Sequence, residues 1–357
     1  MAAAIKGRGA LSQPPGRFDK LTKEFEHDGW YEDEPPNKLE TVVLPEPARS
    51  VISRNKSPDI GFGQSINPYR GCEHGCVYCY ARPSHSYVGL SPGLDFETRL
   101  FYKADAATLL EAELSAPNYR CAPIMLGANT DPYQPLERSL KITRSLLEVL
   151  LRCRHPVAIT TKGALVVRDV DLLAALARDG LVQVMFSIPT LNDDLKRILE
   201  PRAASARAKL KAMRVLADAG VAVGVLVAPI IPVITEHEVE SVLKAARESG
   251  ASLAGYTMLR LPWEVKDLFR EWLAEHFPDR AAHVMSAVRA MRGERDNDPD
   301  FGTRMHATGP FAQLIRQRFQ LASRRLGYAR DRERNLATNL FRPPLRIHPQ
   351  LELELPM

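Results

Sequence analysis

Residues 203–231 read AASARAKLKAMRVLADAGVAVGVLVAPII, and this stretch indicates the fold class. Its first part has helical spacing as far as Ala219, and Gly220 is typical of a helix end. Its second part, 221–231, is short, apolar and rich in valine, as expected for a strand that is buried on both faces. A helix that leads directly into a buried strand is a building unit of parallel sheets.

The same alternation continues in both directions along the chain. The predicted strands cover 64–68, 122–128, 157–161, 182–188, 221–231 and 253–259. A helical pattern follows each strand, so the strands should be parallel and joined by right-handed crossovers. A closed barrel needs about eight such units. We therefore predict an α/β fold, a partial (β/α)6 barrel of the TIM type, with a doubly wound sheet as the alternative.

Composition divides the chain into three regions. Residues 1–60 are polar and interrupted by prolines, so we expect an irregular or mobile N-terminal arm before a barrel domain at 61–278. Residues 279–357 should form a helical extension, and 280–346 contain 14 Arg, no Lys and 6 acidic residues. The whole chain has 45% hydrophobic residues and a net charge of +5, as in globular proteins. No apolar run is long enough to cross a membrane.

The segment that carries chemistry follows the first predicted strand. Residues 67–82 read NPYRGCEHGCVYCYAR, which places Cys72, Cys76 and Cys79 in C-x3-C-x2-C spacing. Ligand sites of parallel α/β folds lie beyond the carboxyl ends of the strands. A structural zinc ion needs four protein ligands, whereas a 4Fe–4S cluster held by three cysteines keeps one iron open for another molecule. The alternative is a zinc site completed by His74 or His85.

This spacing, with Tyr78 before the third cysteine, resembles the radical S-adenosylmethionine (SAM) superfamily. The segments SINPYRGCEHGCVYCYAR, GANTDPYQPLE and TTKG resemble its spore photoproduct lyase-like branch, over about residues 60–275. The resemblance implies a 4Fe–4S cluster on the three cysteines and SAM bound to the open iron. It also implies that reductive cleavage of SAM produces a 5′-deoxyadenosyl radical, which abstracts hydrogen from a substrate.

The resemblance further implies which side chains contact SAM. Six residues are candidates for this role: Tyr78, Asn129, Thr130, Asp131, Lys162 and Ser187. Residues 129–131 would hold the amino group, Lys162 the carboxylate, and Ser187 the ribose or carboxylate. The ordinary alternatives are an Asx turn at Asn129, a surface lysine at 162 and a buried serine with a backbone partner.

One departure from the branch limits the prediction. Spore photoproduct lyase carries a hydrogen-donor cysteine near the end of its second strand, but residues 125–131 contain no cysteine and Cys121 comes too early. We therefore do not expect thymine-dimer repair. The residues that act on the substrate stay unknown, and Tyr133, Tyr256 and Cys153 are candidates for a radical role or for simple packing.

These observations predict a radical SAM enzyme of unassigned substrate. The arginine-rich C-terminal region, including Arg316, Arg318, Arg324 and Arg325, makes DNA or RNA a candidate partner. A one-electron donor of the flavodoxin or ferredoxin type and a cytoplasmic location are also expected, because a cysteine cluster of this kind suits a reducing compartment. The alternative is a nucleic-acid-binding module with a structural zinc site. A nicotinamide-dependent enzyme is not favoured, since no G-x-G-x-x-G follows a strand.

Overall fold

A computed structural model describes residues 5–19, 39–329 and 336–344 of the chain. The strands within these ranges are β1 (Val42–Pro45), β2 (Ile52–Arg54), β3 (Gln64–Ile66), β4 (Tyr69–Arg70), β5 (Arg99–Tyr102), β6 (Ile124–Leu126), β7 (Val157–Thr161), β8 (Val182–Ser187), β9 (Ala222–Ile230) and β10 (Leu253–Met258). The helices are α1 (Asp95–Thr98), α2 (Ala106–Leu114), α3 (Glu137–Leu140), α4 (Ile142–Arg152), α5 (Val170–Ala177), α6 (Asp193–Leu199), α7 (Ala206–Asp218), α8 (Val239–Glu248), α9 (Val265–His276), α10 (Pro278–Ala290) and α11 (Gly309–Arg325). None of the described helices combines the length and the apolar composition needed to cross a membrane.

Seven strands form the main sheet in the order β10-β9-β8-β7-β6-β3-β2. Strands β3 and β6 to β10 pair in parallel, and β2 joins the β3 edge in antiparallel orientation. A doubly wound sheet reverses its strand order at a switch point. Because the six parallel strands here follow chain order without reversal, the predicted partial six-unit barrel is confirmed and the doubly wound alternative is wrong.

The core lies between this sheet and the helices that follow its strands. On α7, Ala212, Met213 and Leu216 form a buried face at helical spacing, and Ser205 caps the helix by accepting a hydrogen bond from the Ala208 backbone N–H. The strand β8 buries residues on both of its faces. Such burial is typical of a parallel sheet covered by helices.

The described parts of the predicted N-terminal arm, 5–19 and 39–60, contact the rest of the protein, whereas 1–4 and 20–38 lie outside the described residues. Arg8, Ala10 and Leu11 are buried. A Cβ on Gly9 would lie 1.7 Å from the carbonyl oxygen of Gly75, so the arm backbone touches the cysteine-containing loop directly. Strand β1 pairs with β5, and β2 pairs with β3. These contacts are long-range, so local polarity and proline content do not reveal them.

The C-terminal part of the described chain is helical, as predicted. Helix α11 packs on the outer strand β10, where the rings of Phe319 and Tyr256 stand 4.7 Å apart. Ala312 and Ile315 of the same helix are buried in the barrel core. The extension therefore shares the core of the barrel, and its predicted start at residue 279 falls within α10.

Candidate active site

The three clustered cysteines lie on one loop after β4, at the carboxyl end of the main sheet. Cys72 and Cys76 are buried, Cys79 is partly buried, and all three are free thiols. Gly71 and Gly75 have φ angles of 76° and 67°, in the left-handed region that favours glycine. These two left-handed residues curl the backbone of the loop around Cys72 and Cys76.

The chemistry of these donors fits a polynuclear cluster better than a single ion. Within the described ranges, no three His, Cys, Asp or Glu side chains are close enough to share one metal ion. The thiols are nevertheless electrostatic neighbours: burial raises the pKa of Cys76 and of Cys79, and other cysteines of the loop add to both shifts. A structural zinc ion takes four protein ligands, whereas three thiolates can hold a 4Fe–4S cluster with one open iron, so a loop with three cysteines suits the cluster.

The two histidines considered as zinc ligands have partners within the protein. His74 Nδ1 lies 3.3 Å from a carboxylate oxygen of Asp131. Burial opposes protonation of His74, but the Asp131 carboxylate and the neighbouring Cys72 outweigh it and raise the pKa of this histidine to about 10. His85 lies 2.9 Å from the Arg99 carbonyl oxygen, and burial lowers its pKa to about 4. His74 therefore connects the Asp131 carboxylate with the first cysteine of the loop.

A buried ion pair holds the cysteine loop from the side of the N-terminal arm. Arg82 and Glu97 are both fully buried and form a salt bridge. Arg82 Nε donates to the carbonyl of Cys76 at 2.9 Å, and Glu97 accepts from the backbone N–H groups of Gly9 and Ala10 at 3.0 and 2.9 Å. Sequence reasoning missed this pair, because nothing in the cysteine spacing marks either residue.

The opposite side of the loop is held by hydrogen bonds to later loops of the barrel. The Gln134 side chain accepts from the Glu73 N–H at 2.9 Å and donates to the Gly71 carbonyl at 3.2 Å. The backbone N–H of Val77 donates to the Leu199 carbonyl at 3.2 Å. The thiol positions are therefore fixed by the folded protein itself.

Two of the six predicted SAM contacts, Tyr78 and Lys162, meet at the buried carboxylate of Glu200. The Tyr78 hydroxyl donates to Glu200, and Lys162 Nζ lies 4.0 Å from the same carboxylate and 5.8 Å from the centre of the Tyr78 ring. Lys209 Nζ lies 3.0 Å from Glu200, and the Cys76 sulfur lies 4.0 Å from it. Although burial opposes ionisation, Lys209 and Lys162 keep the pKa of Glu200 below its ordinary value.

Glu200 and Lys209 are further residues that sequence reasoning missed. Lys209 is 1% exposed and shares the buried face of α7 with Met213 and Leu216. A lysine in line with apolar residues at i+4 and i+7 is the signal that could have revealed it, because a buried ammonium needs a partner.

Asp131 lies beside the cysteine loop, but its oxygens are used within the protein. It accepts from the Thr161 hydroxyl at 2.7 Å, the Lys162 N–H at 2.6 Å and the Tyr133 N–H at 2.8 Å, besides facing His74. These hydrogen bonds and His74 lower the pKa of Asp131 to about 2 despite its burial. The bond to Tyr133 is an Asx turn, which therefore forms at Asp131 rather than at Asn129.

The other predicted contacts, Asn129, Thr130 and Ser187, form hydrogen bonds within the protein. The Thr130 hydroxyl donates to the Tyr69 carbonyl at 2.7 Å, and Asn129 is exposed with its N–H donating to the Asn67 side chain at 2.8 Å. The Ser187 hydroxyl donates to the Ala228 carbonyl at 2.9 Å. This is the buried serine with a backbone partner that was the alternative interpretation.

The candidate radical residues do not converge on the loop. Tyr256 packs against Phe319, and Cys153 is buried in the core after α4, before β7 begins. Tyr133 is buried next to Asp131. Tyr80, which sequence reasoning passed over, directly follows Cys79, and its 52% exposed side chain donates to the Ala128 carbonyl.

The arginines of α11 lie away from this loop. Arg318 is paired with Glu240 at 2.8 and 2.6 Å, whereas Arg316, Arg324 and Arg325 are exposed. The end of α11 lies beside Ser252, whose carbonyl accepts from the Ala329 N–H at 2.9 Å. Because β10 starts at residue 253, the last turn of α11 stands at the amino end of the sheet, opposite the cysteines.

Comparisons with known proteins agree with this geometry. The model of the Radical SAM superfamily matches residues 66–246. An uncharacterized protein of Mycobacterium tuberculosis (strain ATCC 25618 / H37Rv) is 34% identical over 240 residues, which is 66% of this chain and 71% of that protein. An uncharacterized protein of Methanocaldococcus jannaschii is 27% identical over 202 residues, 57% of this chain and 72% of the relative.

Solved structures show the same fold at low sequence identity. Spore photoproduct lyase complexed with dinucleoside spore photoproduct has a TM-score of 0.57 and 16% identity, with 80% of each chain covered. A variant of that enzyme with bound AdoMet and the same dinucleoside also has a TM-score of 0.57 and 16% identity, with 81% of this chain and 80% of the other covered.

A loop of three free cysteines at the open end of a six-unit parallel barrel defines an enzyme that works through a bound cofactor. The chain belongs to the radical SAM superfamily, and its fold is similar to that of spore photoproduct lyase. Its cofactors are accordingly a 4Fe–4S cluster and SAM. Its substrate is not assigned by these similarities.

Proposed function

We propose that the protein cleaves SAM reductively at a cluster held by Cys72, Cys76 and Cys79, and directs the 5′-deoxyadenosyl radical at a hydrogen atom of a nucleic-acid substrate. The observation that carries the proposal is the loop of three free thiols at the carboxyl end of the sheet, with Cys121 and Cys153 outside it. When bound, the cluster supplies the electron that breaks the sulfonium bond of SAM.

The chain's own side chains would position SAM. Lys162 keeps its charge, because Cys76, Glu200 and Asp131 raise its pKa against the effect of burial. An ammonium beside the cysteine loop suits the carboxylate of SAM. Glu200 holds both Lys162 and the Tyr78 hydroxyl, so it acts as a positioning residue. The surrounding burial keeps bulk water away from these charged groups, which strengthens the interactions that would orient SAM.

An exposed aromatic group at the same end of the barrel supports nucleic acid as the substrate class. Arg17 lies over the rings of Phe18, Tyr87 and Trp263, at 5.1, 5.3 and 4.5 Å from their centres. The three rings are 55%, 69% and 62% exposed. Tyr87 lies shortly after the cysteine loop and Trp263 shortly after β10. Exposed rings beside a guanidinium are the surfaces on which unpaired bases stack.

A one-electron donor of the flavodoxin or ferredoxin type would reduce the cluster. A cytoplasmic location follows from the same proposal, because free thiols and a reducible cluster persist in a reducing compartment. Addition of reduced flavodoxin in place of dithionite tests the donor: release of 5′-deoxyadenosine with flavodoxin supports it.

The central test is anaerobic reconstitution with iron and sulfide. The wild-type protein should turn brown and release 5′-deoxyadenosine from SAM after reduction. Cys79→Ser should lose both properties, whereas Cys121→Ser, which changes a partly exposed cysteine outside the loop, should keep them. A colourless wild-type protein that contains one zinc ion would refute the proposal.

The substrate class is tested by binding of single-stranded oligonucleotides. Replacing Trp263 and Tyr87 by Ala should weaken binding of an unpaired DNA or RNA strand about 10-fold or more, since one stacked base contributes about 1–3 kcal/mol. Arg324→Gln with Arg325→Gln, at the other end of the sheet, should have a small effect by comparison. A larger loss of binding for Arg324→Gln with Arg325→Gln than for Trp263→Ala with Tyr87→Ala would place the contact surface on α11. That result would refute the placement at the barrel mouth.

A further inference from the structure

We propose that Arg260 binds a phosphate group of the substrate at the mouth of the barrel. This inference rests on the proposed function, because it identifies the chemical group by which that substrate would be recognised. It concerns a side chain outside the cysteine loop and outside the residues predicted to contact SAM.

Arg260 lies at the end of the barrel where the cysteines lie. Strand β10 ends at Met258, so Arg260 follows the carboxyl end of the last barrel strand. The backbone N–H of Leu259, the residue before Arg260, donates to the carbonyl of Ile230 at 3.0 Å, and Ile230 is the last residue of β9. Tyr80, which follows Cys79, donates to the carbonyl of Ala128, just beyond the end of β6. Arg260 therefore belongs to the rim that surrounds the cofactor-binding loop.

The guanidinium of Arg260 lacks an acidic partner among the described residues. Its Nε is buried and makes no hydrogen bond, and Nη1 lies 2.7 Å from the sulfur of Met305. A thioether is only a weak acceptor. Leaving a buried donor of a charged group without an acceptor is unfavourable. The guanidinium of Arg260 is therefore available to donate hydrogen bonds to a bound oxyanion.

Two neighbouring arginines differ from Arg260 because they have oxygen acceptors. Arg304 donates through Nε to Asp59 at 2.7 Å and through Nη2 to Ser57 at 2.9 Å. Arg292 is buried and donates through both terminal nitrogens to backbone carbonyls, among them that of Leu259 at 3.0 Å, although its Nε, like that of Arg260, has no acceptor. Among the described residues, Arg260 is therefore the one of these three whose guanidinium has a thioether but no oxygen as an acceptor.

The charge balance of the rim favours an anion. Burial and the charge of Arg304 lower the pKa of Arg260, which indicates crowding of positive charge. The acidic groups near Arg260 are Asp59, which is bound to Arg304, and Asp298, which accepts from the Asp300 N–H at 2.9 Å. An arriving anion would relieve the repulsion between the guanidinium groups.

The planar fork of donors in a guanidinium matches two oxygens of a phosphate or of a carboxylate. We favour phosphate because every nucleotide of the proposed substrate carries one, next to the exposed rings on which its bases would stack. Inorganic phosphate and acetate distinguish the two chemistries in the test.

The test is isothermal titration calorimetry of the full-length, reconstituted protein with inorganic phosphate, with acetate and with a dinucleoside monophosphate. Arg260→Gln should weaken binding of both phosphate-containing probes about 10- to 100-fold, the loss expected for hydrogen bonds to a charged group. Arg260→Lys keeps the charge but loses the planar fork of donors, so its affinity for phosphate should lie between that of the wild type and that of Arg260→Gln. Arg316→Gln, an exposed arginine on α11, is the matched control and should bind as the wild type does.

Wild-type affinity of Arg260→Gln for phosphate, or stronger binding of acetate than of phosphate to the wild type, would overturn the inference. Absence of phosphate binding to the wild type would do the same. Thermal unfolding of each variant separates loss of the site from loss of the fold, and Arg260→Lys serves as the second variant if Arg260→Gln unfolds. The failure of the proposed function is distinguishable, because release of 5′-deoxyadenosine is measured without phosphate. Wild-type protein that releases it but does not bind phosphate would refute only the role of Arg260.

Discussion

Replacing Glu97 by Gln tests whether the buried ion pair with Arg82 holds the cysteine loop. Both side chains are fully buried, and the substitution leaves the Arg82 charge without a compensating carboxylate. Removing one partner of a buried pair costs about 3–5 kcal/mol. A typical domain is stable by about 5–15 kcal/mol. Urea unfolding should therefore show a marked loss of stability for Glu97→Gln, accompanied by weaker retention of iron after reconstitution.

The loss of stability caused by Glu97→Gln should exceed the loss caused by breaking a more exposed arginine–glutamate pair. Glu240→Gln removes the partner of Arg318. The side chain of Glu240 is 45% exposed and that of Arg318 is 28% exposed. Surface pairs contribute about 0–1 kcal/mol. The double variant Arg82→Met with Glu97→Leu should recover only part of the stability, because the N–H groups of Gly9 and Ala10 lose their acceptor. Equal, small losses for Glu97→Gln and Glu240→Gln would refute the reasoning.

Two further predictions concern other buried groups. Glu200→Gln removes the carboxylate that pairs with the Lys209 ammonium, which keeps only neutral acceptors such as the Ser187 carbonyl at 2.9 Å. Unfolding should therefore become easier by about 3–5 kcal/mol, and SAM should bind more weakly through loss of support for Lys162. Glu248→Gln at an exposed pair is the control for urea unfolding and SAM titration. Burial lowers the pKa of His155 from 6.5 to about 4. The unfolded chain therefore binds the proton first as the pH falls, and stability should decrease from pH 6.5 to about 4 and be retained above pH 6.5. His155→Gln should flatten this dependence in urea unfolding across the pH range, and the exposed His283→Gln should not.

Each of these two predictions has a contradicting outcome. Unchanged stability of Glu200→Gln, with unchanged SAM affinity, would mean that the Lys209 ammonium finds another acceptor. A pH dependence of His155→Gln identical to that of the wild type would assign the whole acid-induced loss to other groups, of which His85 is the first to examine because burial also lowers its pKa to about 4.

The barrel was predictable because its strands are short apolar runs separated by helical patterns. The predicted strand 182–188 corresponds closely to Val182–Ser187. The predicted strand 122–128 is shorter in the structure, Ile124–Leu126, because Gly127 takes a φ of 88° and turns the chain out of the sheet. Local sequence predicts that a strand exists more reliably than it predicts where the strand ends.

The arrangement around the cysteines was only partly predictable. The spacing of Cys72, Cys76 and Cys79 identifies the loop, but Glu200 lies 122 residues after Tyr78 along the chain. No local pattern reports a partner at that distance. Asp131 follows the end of β6 and lies beside His74 of the cysteine loop. Its predicted contact with SAM stays a prediction, because the carboxylate is already engaged by four neighbouring groups.

The structure separates arginines that already have a partner from arginines that have none, and the candidate substrate surface proposed here rests on that difference. Residues 280–346 contain 14 Arg, yet Arg318 and Arg304 are paired with carboxylates and Arg292 with backbone carbonyls. The exposed Arg324 and Arg325 stand at the amino ends of the strands, where parallel barrels do not place their active sites. Arg260 lies outside the arginine-rich region but at the carboxyl end of β10. Arg260 lies at the carboxyl end of the sheet and has no acidic partner among the described residues. For these two reasons we favour this single guanidinium, rather than the larger basic surface, as the group that binds the substrate phosphate.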